Sequence, residues 1–337
     1  MSVSDVKKKA LQLGYSSCGI IPAKAFDEYA QYLDWRVKKF PGSKKFYERL
    51  YSFVTPNESA KSIIVCVGGI TEYKVPDSLK GVIAKHFLFD ARIPYAQANR
   101  AKEEFEMYLK TLKLNIIDCP VPLRWSAAKA GLGKFGHNNF IFTQEHGSYI
   151  GISAWAVDKE LDYDPMPGPA DIYLPYCGES CLKCVKACPT SALSDSFSMD
   201  MAKCVARLNF AAEDILDEEL RQKMGCWIYG CDVCQDVCPA NKDRFKGDSE
   251  FPLLEQLEEY LKPENLLSMD EYTYVNIINP RFWYGGKDGL WRWRANALRS
   301  MINSGKAEHH QLIKESLTHE DERIREMARW GCSELGI

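Results

Sequence analysis

Two periods of apolar residues alternate along the first half of the chain. From Val3 to Leu13 the apolar positions follow one face of a helix, and residues 97–112, Gln-Ala-Asn-Arg-Ala-Lys-Glu-Glu-Phe-Glu-Met-Tyr-Leu-Lys-Thr-Leu, do the same. Between them lie the short apolar run Cys18-Gly19-Ile20-Ile21 and the continuous run Ser62-Ile63-Ile64-Val65-Cys66-Val67, which predicts a buried strand. Further strands are predicted from Asn139 to Thr143 and from Tyr149 to Val157. This is the pattern of a mixed α/β domain reaching residue 165, where the proline-rich link Asp164-Pro165-Met166-Pro167-Gly168-Pro169 closes it. After Cys238 the spacing becomes helical, over Phe251 to Leu261 and again from Leu290 to Leu335. Two antiparallel helices there resemble one α-solenoid repeat, against the plainer reading of a packing cap.

The middle of the chain follows neither period, and its cysteines explain why. Nine of the thirteen cysteines fall between positions 177 and 238. The first run reads Cys177-x3-Cys181-x2-Cys184-x3-Cys188-Pro189, and the second Cys231-x2-Cys234-x3-Cys238-Pro239, with Cys204 between them. In bacterial ferredoxins this spacing wraps three thiolates round one [4Fe-4S] cluster, while the cysteine before the proline crosses to the other cluster. Zinc sites use two separated Cys-x2-Cys pairs, without the third cysteine and the Cys-Pro ending. Disulfides need an oxidising compartment, and Met1-Ser2-Val3-Ser4-Asp5-Val6-Lys7 lacks the apolar core of a signal peptide. Two clusters are therefore expected, with Cys226 close enough to the second run to stand in for Cys204. Cys18, Cys66, Cys119 and Cys332 read as ordinary buried thiols.

Length and charge limit what surrounds this module. At 337 residues the chain exceeds a ferredoxin alone and has room for two or three domains. A net charge of -3 gives no global pull toward nucleic acid, so any such contact has to be a local patch. No apolar run approaches the roughly 18 residues that span a bilayer, and a cytoplasmic protein without a membrane partner is expected. The glycine run Gly131-Leu132-Gly133-Lys134-Phe135-Gly136 matches the dinucleotide fingerprint only formally, because a helix precedes it and a strand follows. It reads instead as a tight turn whose glycines let the backbone approach a flat or bulky ligand.

Asp118-Cys119-Pro120-Val121-Pro122, then Lys129-Ala130-Gly131-Leu132-Gly133, His137-Asn138-Asn139 and Gly147-Ser148-Tyr149, together with the run Ile228 to Lys242, resemble the epoxyqueuosine reductases, cobalamin-dependent iron-sulfur enzymes related to reductive dehalogenases. In the tail, Arg294-Ala295-Asn296-Ala297-Leu298 and Arg325-Glu326-Met327-Ala328-Arg329-Trp330 are similar to that family's HEAT-like repeat. The resemblance implies an α+β architecture in three parts. These are a nitroreductase-like cobalamin-binding domain over 1–165, a ferredoxin-like domain with two [4Fe-4S] clusters over 166–250, and a helical HEAT-like domain over 251–337. It implies reduction of the epoxide of epoxyqueuosine in tRNA to the alkene of queuosine, with electrons passing through the clusters to cobalt. An external electron donor, a ferredoxin, flavodoxin or similar protein, and tRNA are the implied partners. By the same resemblance Asp118 is the proton donor, Asn138, Ser148 and Asp232 contact the corrinoid, and Cys177, Cys181, Cys184, Cys188, Cys204, Cys231, Cys234 and Cys238 hold iron.

The chain also departs from the family. Leu123-Arg124 stands where an acidic residue is usual, and the first run has one residue more between Cys177 and Cys181. The segments around Lys85-His86-Phe87, Pro94-Tyr95-Ala96 and Val205 to Phe210 differ as well. Two other readings stay open at this point: the same cofactors reducing another small molecule, such as an organic halide, or an electron carrier without catalysis. His86, His137 and His146 are left unassigned as cobalt ligands. Phe282-Trp283-Tyr284 with Trp291 and Trp293 suit either base stacking or a packing seam.

Overall fold

The computed structural model describes residues 3–89, 97–175, 177 and 180–337, so Pro94-Tyr95-Ala96 and, between Cys177 and Cys181, Gly178 and Glu179 lie outside the described residues. The first domain is built round one strand, β2 (Ser62–Gly69), whose first six residues are all buried. Side chains alternate across a strand. Ile63, Val65 and Val67 therefore enter one apolar cluster, and Ile64 and Cys66 another on the opposite face. β2 pairs antiparallel with β1 (Ser17–Pro22) and with the strand Ile150–Val157, which in turn pairs with Ile116–Ile117.

Helices cover both faces of this four-stranded sheet. α1 (Val3–Gln12) and α2 (Gln97–Thr111) supply Val6, Ala10, Phe105 and Leu109 to one side. α3 (Leu123–Lys129) supplies Trp125, Ala127 and Ala128 to the other. The predicted strand at Asn139 to Thr143 shortens to Ile141–Phe142, because Asn139 takes a φ of 67° in a turn closed by Gly136. The glycine run serves that turn. A Cβ on Gly133 would lie 2.4 Å from Ile141 Cγ2, and one on Gly136 2.6 Å from Phe142 Cε2. The run lets a hairpin pack closely, and the close approach is made by Ile141 and Phe142 where the sequence suggested a ligand.

Residues 70–88 leave the sheet. Ile70, Leu79, Ile83 and Leu88 join Ile228, Tyr229, Phe251, Leu261, Phe282 and Trp293 in a third apolar cluster, which ties the first domain to the cysteine block and the tail. The tail's main helices, α4 (Leu290–Ser304) and α5 (Glu322–Leu335), pack on each other, with a shorter helix His310–Glu315 between them in sequence. Asp321 caps α5 by accepting from the Arg323 amide at 2.9 Å. The helix predicted from Phe251 to Leu261 reduces to Glu255–Glu258, since Pro252 lacks an amide hydrogen and Leu253 holds φ at 61°. Its apolar spacing survives, with Phe251, Leu254, Leu257 and Leu261 all buried. Among the described residues no helix is long and apolar enough to cross a membrane.

Ile64 sits at the centre of the sheet with no accessible surface. Ile64→Ala is expected to cost about 2–5 kcal/mol through lost burial and the cavity left behind. The unfolding midpoint in denaturant measures it, with Leu123→Ala, at a half-exposed apolar position, changing little by comparison.

Candidate functional site

The cysteine runs form short helices joined by turns, and this places eight thiols in two groups. Cys184 lies in the helix Lys183–Ala187, Cys204 immediately precedes the helix Val205–Ala211, and Cys234 lies in the helix Val233–Asp236. The first and third of these pack together. Cys177 is acted on electrostatically by Cys181, Cys184 by Cys177 and Cys238, and Cys238 by Cys177 and Cys181. Cys204 is acted on by Cys188, Cys231 by Cys204 and Cys188, and Cys234 by Cys231, Cys204 and Cys188. The sets are thus Cys177, Cys181, Cys184 and Cys238 on one side, and Cys188, Cys204, Cys231 and Cys234 on the other. In each, the cysteine before the proline comes from the opposite run.

Burial pushes these thiols up, Cys184 to about 11 and Cys231 to about 12, with Cys177, Cys204, Cys234 and Cys238 raised in the same direction. Backbone amides oppose the shift by pointing at sulfur. They come from His137 for Cys177, from Arg207 and Ala206 for Cys204, from Val233 for Cys231, and from Ala240 and Asn241 for Cys238. Buried sulfur ringed by amide donors suits a thiolate only when a cation shares the site. Among the described residues no three ligating side chains converge on a single ion. A cubane asks for a different arrangement, one thiolate on each of four irons.

Cys226 belongs to neither set. Its sulfur lies 3.6 Å from the Ser300 carbonyl, and Ser300 Oγ donates to the Cys226 carbonyl at 3.0 Å. It therefore faces α4 of the tail, and the structure brings Cys204 to the second set.

The residues that the resemblance linked to a corrinoid all turn toward the second run. Asn138 Nδ2 donates to the Cys234 carbonyl at 2.9 Å. Ser148 Oγ donates to Gln235 Oε1 and accepts from Asn241 Nδ2, both at 2.8 Å. Asp232 accepts from the Lys85 amide at 2.7 Å and from Gln235 Nε2 at 2.9 Å, and burial pushes its carboxyl up to about 6 against the pull of Lys85. Gln235 and Asn241 were not singled out in the sequence. A buried amide side chain among cluster cysteines is the signal that would have found them.

Asp118 is exposed in the loop leading into α3, and its carboxylate makes no hydrogen bond among the described residues. Arg124, on α3, is exposed to solvent. Desolvation holds its guanidinium below the ordinary value, and Arg36, Tyr284, Cys234 and Tyr29 all act on it. NH1 donates to the Asn139 carbonyl at 3.1 Å, and the guanidinium lies 4.7 Å from the Phe140 ring centre. The side chain amide of Asn139 is itself held by Arg36 and Tyr32. Arg124 on α3 and Tyr284 thus lie near the second thiol set. The aromatic group divides: Phe282 and Trp293 are buried in the seam with Tyr229, whereas Trp283 and Tyr284 are about half exposed and stacked at 4.4 Å. A cavity of about 340 Å³ is lined by Tyr73, Lys85, Trp227, Asp232 and Phe245, and so includes one of the expected corrinoid contacts.

His137 and His146 have structural partners. His137 Nδ1 lies 3.1 Å from the Cys181 carbonyl, and His146 Nδ1 lies 2.8 Å from Thr71 Oγ1.

Residues 176–241 match the family described as 4Fe-4S double cluster binding domain. Over 253 residues the chain is 31% identical to an epoxyqueuosine reductase of Cyclobacterium marinum, covering 70% of this chain and 78% of that one. It is 28% identical over 281 residues to an epoxyqueuosine reductase of Leadbetterella byssophila, covering 80% and 87%. The fold is similar, with a TM-score of 0.78 and 24% identity, to a solved epoxyqueuosine reductase carrying an epoxyqueuosine-modified tRNA-Tyr stem loop, over 99% of this chain and 90% of that one.

Cys204→Ser is expected to lower iron per chain after anaerobic purification and to remove one paramagnetic centre, while Cys226→Ser leaves both iron content and spectrum as they are.

Proposed function

This chain belongs to the epoxyqueuosine reductase family, and from that premise we propose that it reduces the epoxide of epoxyqueuosine in tRNA to the alkene of queuosine. The observation that carries the reading is the crossed pair of four-thiol sets, one of them near Arg124 and Tyr284. The reaction consumes two electrons and two protons per epoxide and releases water. Two [4Fe-4S] clusters would supply single electrons, held by Cys177, Cys181, Cys184 and Cys238 and by Cys188, Cys204, Cys231 and Cys234. Cobalamin, when bound, would supply a strongly reducing, nucleophilic metal centre.

The protein's own groups then have distinct tasks. Opening an epoxide develops negative charge on oxygen, and Asp118 delivers a proton there. Its exposure, and the lack of an internal partner among the described residues, leave the carboxyl available to a substrate. Asn138, Ser148 and Asp232 act on the corrinoid site through the loop they brace, fixing the backbone from Cys231 to Asn241. Arg124 contributes a fixed positive charge near the second thiol set, and Trp283 and Tyr284 offer a stacking face to an unpaired base of the tRNA loop. The electron donor is an external protein such as a ferredoxin or flavodoxin.

The test is anaerobic turnover of a tRNA anticodon stem loop bearing epoxyqueuosine, with reconstituted clusters, cobalamin and a low-potential reductant. Queuosine formation supports the reading, and absence of product from fully reconstituted protein overturns it. Asp118→Asn should lower turnover by about 10²–10⁴-fold while iron content and corrinoid binding stay as in the parent.

A further inference from the structure

We propose that Cys18 and Cys66 form a reversible disulfide across the paired strands β1 and β2, closed by thiol exchange with a small disulfide. The inference is independent of how the eight thiols of the two sets are read. In the register of the strands Cys18 stands directly opposite Cys66. Opposed residues of an antiparallel pair alternate between hydrogen-bonded and non-bonded positions, and the neighbouring bonds fix which kind this is. Ala23, the next residue after β1, donates to the Lys61 carbonyl at 3.0 Å. The bonded phase therefore falls on Ser17, Gly19 and Ile21, and the non-bonded phase on Cys18, Ile20 and Pro22. Pro22 has no amide hydrogen and suits that phase. On the other side of β2, Ile70 donates to the Tyr149 carbonyl at 3.1 Å, so the amide and carbonyl of Cys66 face Ser153 and not Cys18. Cα atoms of such a non-bonded pair lie about 4.5 Å apart, and a disulfide spans roughly 4.4–6.8 Å. The bridge closes with little backbone movement, at the short limit of its range.

The surroundings give each sulfur a different task. Cys66 belongs to the apolar cluster under α1 and α2, with Phe105, Leu109 and Trp155, and Cys18 packs against it. None of the eight thiols of the two sets is in that cluster. Cys66 has no accessible surface, and burial, with Cys18 beside it, pushes its thiol up, so it keeps its proton. Cys18 is half-buried on β1, an edge strand, and is the sulfur that an outside reagent reaches first. In the first step the Cys18 sulfur attacks the small disulfide, whose S–S bond breaks, and its proton leaves with one small thiol. In the second, the Cys66 sulfur attacks that of Cys18 in the mixed disulfide, and its proton leaves with the other small thiol. Two protein thiols are oxidised, and one small disulfide is reduced to two thiols. A bridge held at the short limit of its span is readily reduced, so the pair stays open among excess thiols and closes when disulfides dominate.

The experiment uses the anaerobic holoprotein in mixtures of mercaptoethanol and its disulfide, quenched with acid, alkylated and mapped by mass spectrometry. The expected result is a peptide linking Cys18 to Cys66 in about nine tenths of chains in excess disulfide and in less than about a tenth in excess thiol, reversibly. Cys66→Ala should instead hold the small thiol on Cys18 as a stable adduct, while Cys18→Ala should leave Cys66 unmodified. The map of the parent protein decides the matter even where a variant does not fold. Two unlinked cysteines in excess disulfide would overturn the proposal, and so would a lasting adduct on Cys18 of the parent. Iron per chain in the same samples reports on the other eight thiols separately, so failure of the cluster reading leaves this test intact.

Discussion

Cysteines gathered in two sets stay protonated unless something makes their ionised form favourable. Desolvation, with neighbouring cysteines adding to it, raises Cys184 to about 11 and Cys231 to about 12. The amides aimed at sulfur offset only part of that shift, and bound iron would supply the rest. The crossed wiring follows from the same constraint. Cys188 and Cys238, each before a proline, leave their own run and complete the other set, so neither run can hold its shape without its partner.

This mutual dependence explains how the remaining parts are arranged. Asn138, Ser148, Gln235 and Asn241 hold the second run from the side of the first domain. The tail holds the segment that leads into this run, through one stripe of α4. Asn296 donates to the carbonyls of Asn209 and Ile228, Arg299 to those of Gly225 and Trp227, and Asn303 to those of Arg221 and Gly225. Every acceptor lies between Cys204 and Cys231. Arg299 is fully buried, with its guanidinium lowered to about 10 by desolvation, and backbone carbonyls are its main partners. The helical tail is therefore part of the frame round the second thiol set, besides any surface it offers to a partner.

Much of this was legible in the residues. The continuous run Ser62 to Val67 announced a strand buried on both faces, and the Cys-Pro endings announced two thiol sets. The choice between Cys204 and Cys226 was not legible, because spacing alone allows both, and only the packing of Cys226 against Ser300 separates them. The strand near Asn139 and the helix near Leu253 were overdrawn, since apolar spacing does not register a positive φ. The neighbourhood of Arg124 was equally hidden: Arg124, Tyr284 and Cys234 are far apart in sequence and come near one another only through the fold.

The most direct test of the account is iron and acid-labile sulfide per chain in protein purified without oxygen, read with the electron-spin spectrum of the reduced state. Two cubanes predict about eight of each and two centres of the [4Fe-4S] type. Stoichiometric zinc in their place, or iron for a single cluster in fully loaded protein, would contradict it.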